Sequence, residues 1–488
     1  MTTTTSVPTY PPLRSFDRLF IGGAWVPPAT TRVIGSIAAG TGLELARVPE
    51  ATEADVDAAV SAAREAFDRG PWPRTTAAER ISALRRVREA IAERLDDMCV
   101  AFSAEIGAPL GVSRAFHESA LNLWDDNIRL LETFAFEEER LVGDATVRLV
   151  REPVGVVGII LPWNGPVTTA SLKMAPALAA GCPVIVKPAP EGPVSMMLLA
   201  EALEAADLPP GVVSVLPAGR EVGEHLVRHA GVDKISFTGS TAAGKRVMAL
   251  CADRVARVTL ELGGKSAGIV LDDLALDDFL STLVQAGIGH TGQVCAALTR
   301  LVVPRRRQAE IADAVVGMLD GLTVGDPFAE GTDLGPLAAE RQRDRVEGYV
   351  RIGQAEGARL ACGGRRPAHL DRGWYYEPTL FTDVTGAMRI AREEVFGPVL
   401  CIQPFDTVEE AISIANDSDY GLSGAVFASD TVLAERVARS VRTGQITVNG
   451  WGLCLTQPAG GFKQSGLGRE GGPEGIGEHL ETKIISGL

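Results

Sequence analysis

The chain has 488 residues, of which 46% are hydrophobic and 22% charged, and its formal net charge is −15. This length is too great for one ordinary hydrophobic core, so two or three domains are expected in a chain of globular composition. The negative charge argues against a nucleic-acid partner and favours a small-molecule substrate, and no apolar run reaches the ~18 residues that a membrane-spanning helix requires.

The N-terminal part is predicted to be mainly helical. Its first segment, Met1 to Pro12, is rich in Thr and Pro and has neither a basic start nor an apolar core, which predicts a disordered arm and not a signal peptide. Residues 20–26 predict a hairpin that turns at Gly22-Gly23. Apolar side chains then recur at helical spacing, which predicts amphipathic helices over 55–67, 77–106 and 121–138. Residues 145–152 alternate like a strand, which pairs either with another subunit's edge or within its own chain.

From Pro153 the pattern changes to short apolar strands that alternate with helices. Strands are predicted at 154–161, 183–187, 212–216, 234–237 and 258–262, and helices at 166–180, 194–206, 221–229 and 242–252. This alternation indicates right-handed crossovers and a parallel sheet that is covered on both faces. Ligands of such a sheet bind beyond the carboxyl ends of its strands.

The remaining residues predict a second α/β unit. Helices are expected at 273–289, 311–319, 341–356, 408–414 and 433–441, and strands at 301–303, 399–402, 424–427 and 445–448. The stretch 457–475 is rich in Gly and Pro, which predicts a loop that covers a site.

Seven cysteines are scattered along the chain without a Cys-x-x-Cys pair, so neither a zinc site nor a disulfide framework is expected, and a reducing cytoplasm is favoured.

Cys295 differs from the others because it follows a glycine-bounded turn and has no apolar periodicity around it. We interpret it as a nucleophile, which needs thiolate character and a stabiliser of the tetrahedral intermediate. Asn164 can supply an amide donor, with the main-chain N–H of Cys295 as a second donor. Glu261, at the end of the fifth strand, can activate water.

Polar and glycine-rich groups follow the predicted strands of the first sheet, at 162–165, 187–191, 219–223 and 238–241. Gly239-Ser240-Thr241 opens a helix and offers free N–H groups to a diphosphate, and Lys187 can bind ribose hydroxyls. No Gly-x-Gly-x-x-Gly is present. The prediction of a dinucleotide site therefore depends on the joint placement of these groups at successive strand ends.

Together these residues resemble the NAD(P)-dependent aldehyde dehydrogenase superfamily over nearly the whole chain. The motifs that carry the resemblance are Pro162-Trp163-Asn164, Lys187, Phe237 to Thr241, Glu261 to Gly264, Gly292 to Cys295, Glu394 to Pro398 and Gly460 to Gly466. The resemblance implies an α/β fold with a Rossmann-like cofactor domain at 1–130 and 154–261. It also implies a second α/β catalytic domain at 262–463 and a small oligomerisation strand segment at 131–153 and 464–488.

The resemblance implies a mechanism as well. Cys295 attacks the aldehyde carbon, Asn164 and the Cys295 amide hold the oxyanion, a hydride passes to the nicotinamide, and Glu261 activates the water that hydrolyses the thioester. Glu394 is expected to grip the nicotinamide ribose. The family's cofactor positions correspond to Trp163, Lys187, Gly219, Gly223, Ser240, Glu394 and Phe396. A homodimer or homotetramer is implied, and no metal site is expected.

Two departures from the family pattern bear on specificity. Pro190 stands where many NAD-preferring members carry Glu, and Glu191 is one place out of register, so NAD is favoured while NADP stays possible. Several members line the substrate tunnel with aromatic side chains, whereas the corresponding positions here are Gly165, Leu172, Gly289, Cys454 and Ala459. We hypothesise a wide apolar tunnel for a bulky aldehyde, whether terpenoid, aromatic or long aliphatic. The alternative is that Trp451 or a shifted loop fills the space.

Other interpretations were weighed against this one. A CoA-acylating dehydrogenase does not need the water-activating Glu261, and a cofactor-free cysteine hydrolase leaves the strand-end groups unexplained. The presence of Cys295, Glu261 and Asn164 argues against a structural or binding protein. His225 and His229 share a helix face but have no evident third metal ligand, so a solvated face is expected. His290 is expected to be a loop histidine and not the base for the thiol.

Overall fold

The computed structural model describes residues 10–487. Residues 1–9 of the predicted N-terminal arm therefore lie outside the described residues. The strands are β1 Leu19–Ile21, β2 Ala24–Val26, β3 Val33–Ile37, β4 Glu44–Pro49, β5 Glu137–Val142, β6 Ala145–Pro153, β7 Val157–Ile160, β8 Val184–Lys187, β9 Val213–Val215, β10 Lys234–Thr238, β11 Arg257–Glu261, β12 Ala267–Val270, β13 Arg300–Pro304, β14 Arg359–Cys362, β15 Thr379–Thr382, β16 Val399–Phe405, β17 Tyr420–Gly421, β18 Gly424–Phe427, β19 Thr447–Val448, β20 Phe462–Lys463, β21 Gly466–Leu467 and β22 Leu480–Ile485.

The helices are α1 Glu53–Asp68, α2 Ala77–Glu93, α3 Leu95–Ile106, α4 Leu110–Leu131, α5 Pro166–Ala180, α6 Pro193–Ala205, α7 Arg220–Arg228, α8 Thr241–Ala252, α9 Leu276–Ile288, α10 Gln308–Asp320, α11 Glu340–Ala355, α12 Arg389–Arg392, α13 Val408–Asn416, α14 Thr431–Ser440 and α15 Gly472–Gly477.

The first sheet has the strand order β2-β1-β9-β8-β7-β10-β11-β21. Its central strands β9, β8, β7, β10 and β11 pair in parallel, and the antiparallel strands β1 and β21 lie beside them. One apolar cluster packs α2, α5 and α6 against one face, and a second packs α1, α7 and α8 against the other. The predicted parallel sheet is confirmed, and its strands β7, β8 and β9 are buried at every position, as expected for a sheet covered on both faces.

The second sheet has the order β14-β15-β16-β13-β12-β18-β19, which confirms the predicted second α/β unit. All neighbouring strands pair in parallel except β14, which is antiparallel to β15. Strand β12 lies near the middle of this sheet and was not predicted; its four residues include a glycine and follow the loop Gly263-Gly264-Lys265-Ser266. The loop 262–266 runs from β11 in the first sheet to β12 in the second, so the two sheets are joined beside Glu261.

A third sheet, β22-β6-β5, decides one open alternative and corrects one prediction. Both edges of β6 are occupied, by β5 and by β22, so its pairing is within the chain. The helix predicted over 121–138 is wrong at both ends: α4 covers 110–131, and Glu137 already belongs to β5. The helix predicted over 77–106 is interrupted at Arg94, between α2 and α3. Within residues 10–487, no helix is both long and apolar enough to cross a membrane.

Candidate active site

Cys295 follows a tightly held turn at the C-terminal end of α9. His290 and Thr291 in this turn have φ angles of 53° and 56°, in the left-handed region. Gly292 has φ +70°, and a Cβ there would overlap the main chain of Gly397. The hydroxyl of Thr291 donates a 2.9 Å hydrogen bond to the carbonyl of Gly335. These contacts hold the turn against the loops that contain Gly335 and Gly397, and so determine where Cys295 points.

Glu261 ends β11, opposite Thr238 of the neighbouring strand β10. The two glycines that follow allow other groups to approach the main chain closely. A Cβ on Gly264 would overlap the carbonyl oxygen of Cys295, and a Cβ on Gly263 would lie 2.7 Å from Oε2 of Glu394. The main-chain N–H of Gly264 donates a 3.0 Å hydrogen bond to Oε1 of Glu394. The glycines therefore bring three predicted site residues, Glu261, Cys295 and Glu394, around one short loop.

Asn164 approaches the same place from the loop between β7 and α5. Its Nδ2 donates a 2.9 Å hydrogen bond to the carbonyl of Gln293, which belongs to the turn before Cys295. Asn164, Glu261 and Cys295 line one cavity of about 820 Å³ with its open mouth included. The cavity therefore has the side chains of a reaction site.

Three of the five positions predicted to line the substrate tunnel lie on this cavity: Gly165, Leu172 and Ala459. Gly289 and Cys454 are not among its lining residues. Gly289 ends α9, and Cys454 is exposed, with its main-chain N–H directed to Oε1 of Gln445 at 3.3 Å. Residues that sequence reasoning did not assign to the tunnel complete the lining: Phe116, Thr168, Thr169, Thr238, Val294, Leu422, Gln445, Leu453, Leu455, Gly460 and Glu470.

Phe116 supplies an aromatic wall that the sequence did not reveal. It lies on α4, and a Cβ on Gly165 would be 3.2 Å from its Cε1 atom, so the phenyl ring occupies part of the space beside Gly165. The ring of Phe116 lies 5.5 Å from the ring of His290 and 6.0 Å from that of Phe102. Trp451 does not line this cavity; its Nε1 donates to the carbonyl of Ala296 at 3.4 Å. No sequence signal marked Phe116, because it lies within a helix far from the motifs.

The pKa values of two acid–base groups in the cavity are raised strongly above their ordinary values. Burial raises the pKa of the Cys295 thiol to about 12, and the nearby carboxyls of Glu394 and Glu261 act in the same direction. Burial, followed by the charge of Glu470, raises the pKa of Glu261 to about 8, against the opposing effect of Lys173. Within residues 10–487, Oε1 of Glu261 is buried without a hydrogen-bond partner. This oxygen is therefore free to accept a proton from a molecule in the cavity.

A second cavity, of about 610 Å³ with its mouth, lies between α7 and α8 beyond the carboxyl ends of β8 and β10. The predicted cofactor residues Lys187 and Gly223 line it. The buried Nζ of Lys187 donates to the carbonyl of Ala218 at 2.7 Å, and burial lowers the pKa of Lys187 to about 8. A Cβ on Gly223 would lie 3.2 Å from Cδ of Lys187, so glycine lets α7 pack close to β8.

Three of the other predicted cofactor positions, Trp163, Gly219 and Ser240, follow the carboxyl ends of strands of the first sheet. Gly219 precedes α7, and the hydroxyl of Ser240 caps α8 by accepting a 3.3 Å hydrogen bond from Ala243 N–H. The rings of Trp163 and Phe396 meet edge to face, with their centroids 5.5 Å apart. Phe396 has φ +62°, a strained conformation that the packing around it must maintain.

The three histidines considered in the sequence analysis contact nearby side chains. His225 and His229 both approach Oδ1 of Asp57 on α1, at 2.7 and 3.5 Å. His290 is buried beside Phe102 and Phe116, and burial lowers its pKa to about 4. Within residues 10–487, no group of three or more His, Cys, Asp or Glu side chains is arranged to hold a metal ion.

Comparison with known proteins identifies close relatives. The pattern described as "Aldehyde dehydrogenase family" matches residues 25–485. The chain is 43% identical over 474 residues to geranial dehydrogenase of Castellaniella defragrans, covering 96% of this chain and 98% of that protein. It is also 43% identical over 480 residues to 3-succinoylsemialdehyde-pyridine dehydrogenase of a Pseudomonas species, covering 97% and 99%. The solved structure of a Mycobacterium tuberculosis aldehyde dehydrogenase complexed with NAD+ is similar with a TM-score of 0.95 at 43% identity, covering 97% of this chain and 98% of that chain.

Proposed function

The chain belongs to the aldehyde dehydrogenase family of oxidoreductases, and we propose that it oxidises an aldehyde to its carboxylic acid with NAD+, using Cys295 as the nucleophile. The observation that carries this proposal is that Cys295, Glu261 and Asn164, from three distant parts of the chain, line one cavity. Aldehyde, water and oxidised cofactor are consumed, and acid, reduced cofactor and a proton are released.

The first half of the proposed reaction takes place at Cys295. The thiol loses its proton, which is released to solvent, and the sulfur forms a bond to the aldehyde carbon. The π electrons of the carbonyl move to the oxygen, and this oxyanion accepts hydrogen bonds from Nδ2 of Asn164 and from the main-chain N–H of Cys295. An amide group has two N–H donors, and the contact with Gln293 uses one of them, so the other is available to the oxyanion. When bound, the nicotinamide ring supplies a hydride acceptor and a positive charge. Loss of hydride from the carbon leaves a thioester on Cys295.

The second half depends on Glu261. Its Oε1, which is buried without a partner among residues 10–487, accepts a proton from water as the water attacks the thioester. The carbon–sulfur bond then breaks, and the carboxylic acid leaves. Asn164 can hold this second oxyanion as well, because the same carbon and oxygen are involved.

The shape of the cavity between α7 and α8, and the hydrogen-bond donors around it, fit a dinucleotide. The cavity between α7 and α8 lies beyond the carboxyl ends of parallel strands, which is where nucleotides bind in such folds. Lys187, Gly219, Gly223 and Ser240 border its adenosine and diphosphate side in this proposal. Trp163, Glu394 and Phe396 would border the nicotinamide side, with Glu394 on the ribose.

For the substrate we propose a bulky apolar aldehyde. The relatives reported above are named for two chemically different aldehydes at equal identity, so their names do not discriminate. Support comes from the cavity walls, where Phe116, Val294 and the leucines 172, 422, 453 and 455 outnumber the polar side chains other than the proposed catalytic ones. Burying apolar carbon is favourable by about 0.8 kcal/mol per CH₂. Longer chains should therefore bind more tightly.

We further propose the domain arrangement that the resemblance implied, with cofactor binding by 1–130 and 154–261, catalysis by 262–463, and assembly into a homodimer or homotetramer through 131–153 and 464–488. The exposed side chains of Leu141, Val142 and Ile484 on the third sheet support an assembly surface there. A reducing compartment such as the cytoplasm suits a chain whose seven cysteines are all unpaired.

A CoA-acylating activity is the second candidate. It would transfer the acyl group from Cys295 to a thiol and would leave Glu261 without a role. Adding CoA to a steady-state assay distinguishes the two: the hydrolytic enzyme should release free acid at an unchanged rate, and the acylating enzyme should form an acyl-CoA.

Rapid mixing tests the proposal directly. With NAD+ and an aldehyde such as octanal, the wild-type protein should form reduced cofactor in a burst, which is followed by absorbance. Cys295→Ala should show neither burst nor turnover, whereas Cys454→Ala, which removes an exposed cysteine outside the cavity lining, should retain both. A burst that persists in Cys295→Ala would contradict the assignment of the nucleophile.

A further inference from the structure

A third, smaller cavity is lined by the end of the loop that joins the two sheets. Its volume is about 250 Å³ with its mouth included, against about 820 Å³ for the cavity at Cys295. Lys265, Arg300 and Arg442 line it, and within residues 10–487 no acidic residue does. We infer that this cavity binds a monatomic anion, chloride, through its buried cations and the hydroxyl groups beside them. The inference does not depend on the oxidation proposed above.

The first buried cation is Lys265, whose ammonium group has no partner in the described part of the chain. The residue is only 3% exposed, and its Nζ forms neither a hydrogen bond nor an ion pair with residues 10–487. Burial lowers the pKa of Lys265, and the charge of Arg300 acts in the same direction. A buried cation normally has an anionic partner, because an unpaired charge is strongly disfavoured away from water. A bound anion would supply that partner.

The acidic groups that influence Lys265 from outside the cavity lining are engaged elsewhere. Glu394 accepts a 3.0 Å hydrogen bond from the main-chain N–H of Gly264. Glu393 is paired with Arg389 at 2.8 Å. The protein itself therefore leaves the position of the anionic partner open.

The second buried cation is Arg300, which is also 3% exposed. Its guanidinium donates to three main-chain oxygens, those of Lys265 at 2.9 Å, Ile414 at 2.9 Å and Ala415 at 3.0 Å. Two of its five N–H donors remain. Ile414 and Ala415 lie in the last turn of α13, whose dipole compensates the charge of Arg300 only in part. Arg442, the third cation, is exposed, and its side chain has no hydrogen bond or ion pair with residues 10–487.

Two hydroxyl groups of the cavity residues also lack partners. Oγ of Ser266 and Oγ1 of Thr443 are buried without a hydrogen-bond partner among residues 10–487, and both residues line the cavity. Buried polar groups are normally hydrogen-bonded, and a hydroxyl can donate its hydrogen to an anion. Two orphaned hydroxyls and two buried cations around one cavity therefore point to one bound acceptor. The small volume favours chloride over a phosphate ester.

The cavity adjoins the proposed active site. Leu422 lines both this cavity and the one at Cys295. Lys265 and Ser266 directly follow Gly264, which packs against the carbonyl oxygen of Cys295. An anion that binds Lys265 therefore also restrains the loop on which the residues around Glu261 depend.

Thermal unfolding in mixtures of sodium chloride and sodium gluconate at constant ionic strength tests the site in solution. The unfolding midpoint of the wild-type protein should rise with chloride and then saturate, because a ligand of the folded state stabilises it. Lys265→Met and Arg442→Gln should each raise the chloride concentration for half of this effect by about tenfold, the result of one lost charge-assisted hydrogen bond. Arg439→Gln is the matched control, because it changes an exposed arginine of α14 outside the cavity lining.

Bromide locates the site directly, because it resembles chloride in charge and shape and scatters X-rays anomalously. Crystals of the wild-type protein soaked in sodium bromide should show an anomalous peak between Lys265 and Arg300, and phosphate should not displace it.

The inference is overturned if the peak is absent from this cavity, if phosphate removes it, or if the unfolding midpoint is the same in chloride and in gluconate. It also fails if Arg442→Gln responds to chloride as Arg439→Gln does. Arg442 is exposed, so this comparison remains decisive even where Lys265→Met does not fold. None of these outcomes bears on the cysteine chemistry, which the burst experiment with Cys295→Ala tests separately.

Discussion

The side-chain amide of Asn164 donates a 2.9 Å hydrogen bond to the carbonyl of Gln293, and this contact ties the loop after β7 to the turn that carries Cys295. The two segments are separated by 129 residues in the chain. Their contact brings an amide donor and a thiol to the wall of one cavity, which is the arrangement that a tetrahedral intermediate at Cys295 requires.

Replacing Asn164 by Ala should slow the formation of reduced cofactor by about 10²–10³-fold, because one donor to the oxyanion is lost. The burst rate at saturating aldehyde measures this step. Asn122→Ala, which changes an exposed asparagine on α4, serves as the control and should have the wild-type rate. A burst rate in Asn164→Ala equal to that of wild type would exclude the amide from the reaction.

Glu261→Gln should separate the two halves of the reaction. The glutamine cannot accept the proton from water, so we expect one equivalent of reduced cofactor per active site and then a stall with the acyl group on Cys295. Mass spectrometry of the stalled protein should show the added acyl mass. Sustained turnover at the wild-type rate in this variant would mean that another group activates the water.

Hydrolysis of the acyl-enzyme should become faster as the pH rises through about 8. The pKa of Glu261 is raised to about 8, so below this value the carboxyl holds a proton and cannot act as a base, and above it the carboxylate form dominates. Single-turnover hydrolysis measured from pH 6 to 10 should therefore show a limb that is absent in Glu261→Gln. A hydrolysis rate that is flat between pH 6 and 9 would contradict the raised pKa.

Gly264→Ala should abolish activity while lowering the thermal stability of the protein only modestly. The new Cβ would overlap the carbonyl oxygen of Cys295, and since that oxygen belongs to the main chain, the turn must shift. Gly317→Ala is the matched control: a Cβ there meets nothing within 4 Å, and its position within α10 predicts a small gain in stability, about 0.4–1 kcal/mol. Thermal unfolding and the burst amplitude measure the two effects. Full burst amplitude in Gly264→Ala would show that the turn tolerates the shift.

Phe116→Ala should change the preference for aldehyde size. Removing the ring widens the cavity beside Gly165, so the ratio of kcat/KM for bulky aldehydes to that for acetaldehyde should rise by about tenfold, within the range that one apolar group provides. Phe116→Leu keeps most of the side-chain volume, so its ratio of kcat/KM values should lie between those of the wild-type protein and Phe116→Ala. In the wild-type protein, octanal should be preferred to acetaldehyde, and the opposite preference would refute the proposed apolar tunnel.

Much of the first sheet could be predicted because its strands are buried on both faces. A strand such as β8, with the sequence Val-Ile-Val-Lys, is apolar at every position until the polar residue at its carboxyl end. Helix α5 begins at a proline and is followed by glycine, and its predicted bounds were confirmed. Where burial was partial or the strand short, prediction failed: β3 and β4 were missed, and the first two residues of β5 were assigned to a helix.

The sequence by itself determined the fold class, the parallel order of short apolar strands, and the identity of an isolated cysteine, a strand-end glutamate and an asparagine as chemically distinctive residues. Each of these follows from local patterns of burial and turn formation. Only the tertiary structure decided that Phe116 borders the cavity, that Gly289 and Cys454 do not, and that Arg341 neutralises Glu191. Such contacts join residues far apart in the chain, and their partners depend on how helices and loops pack, which no local spacing encodes.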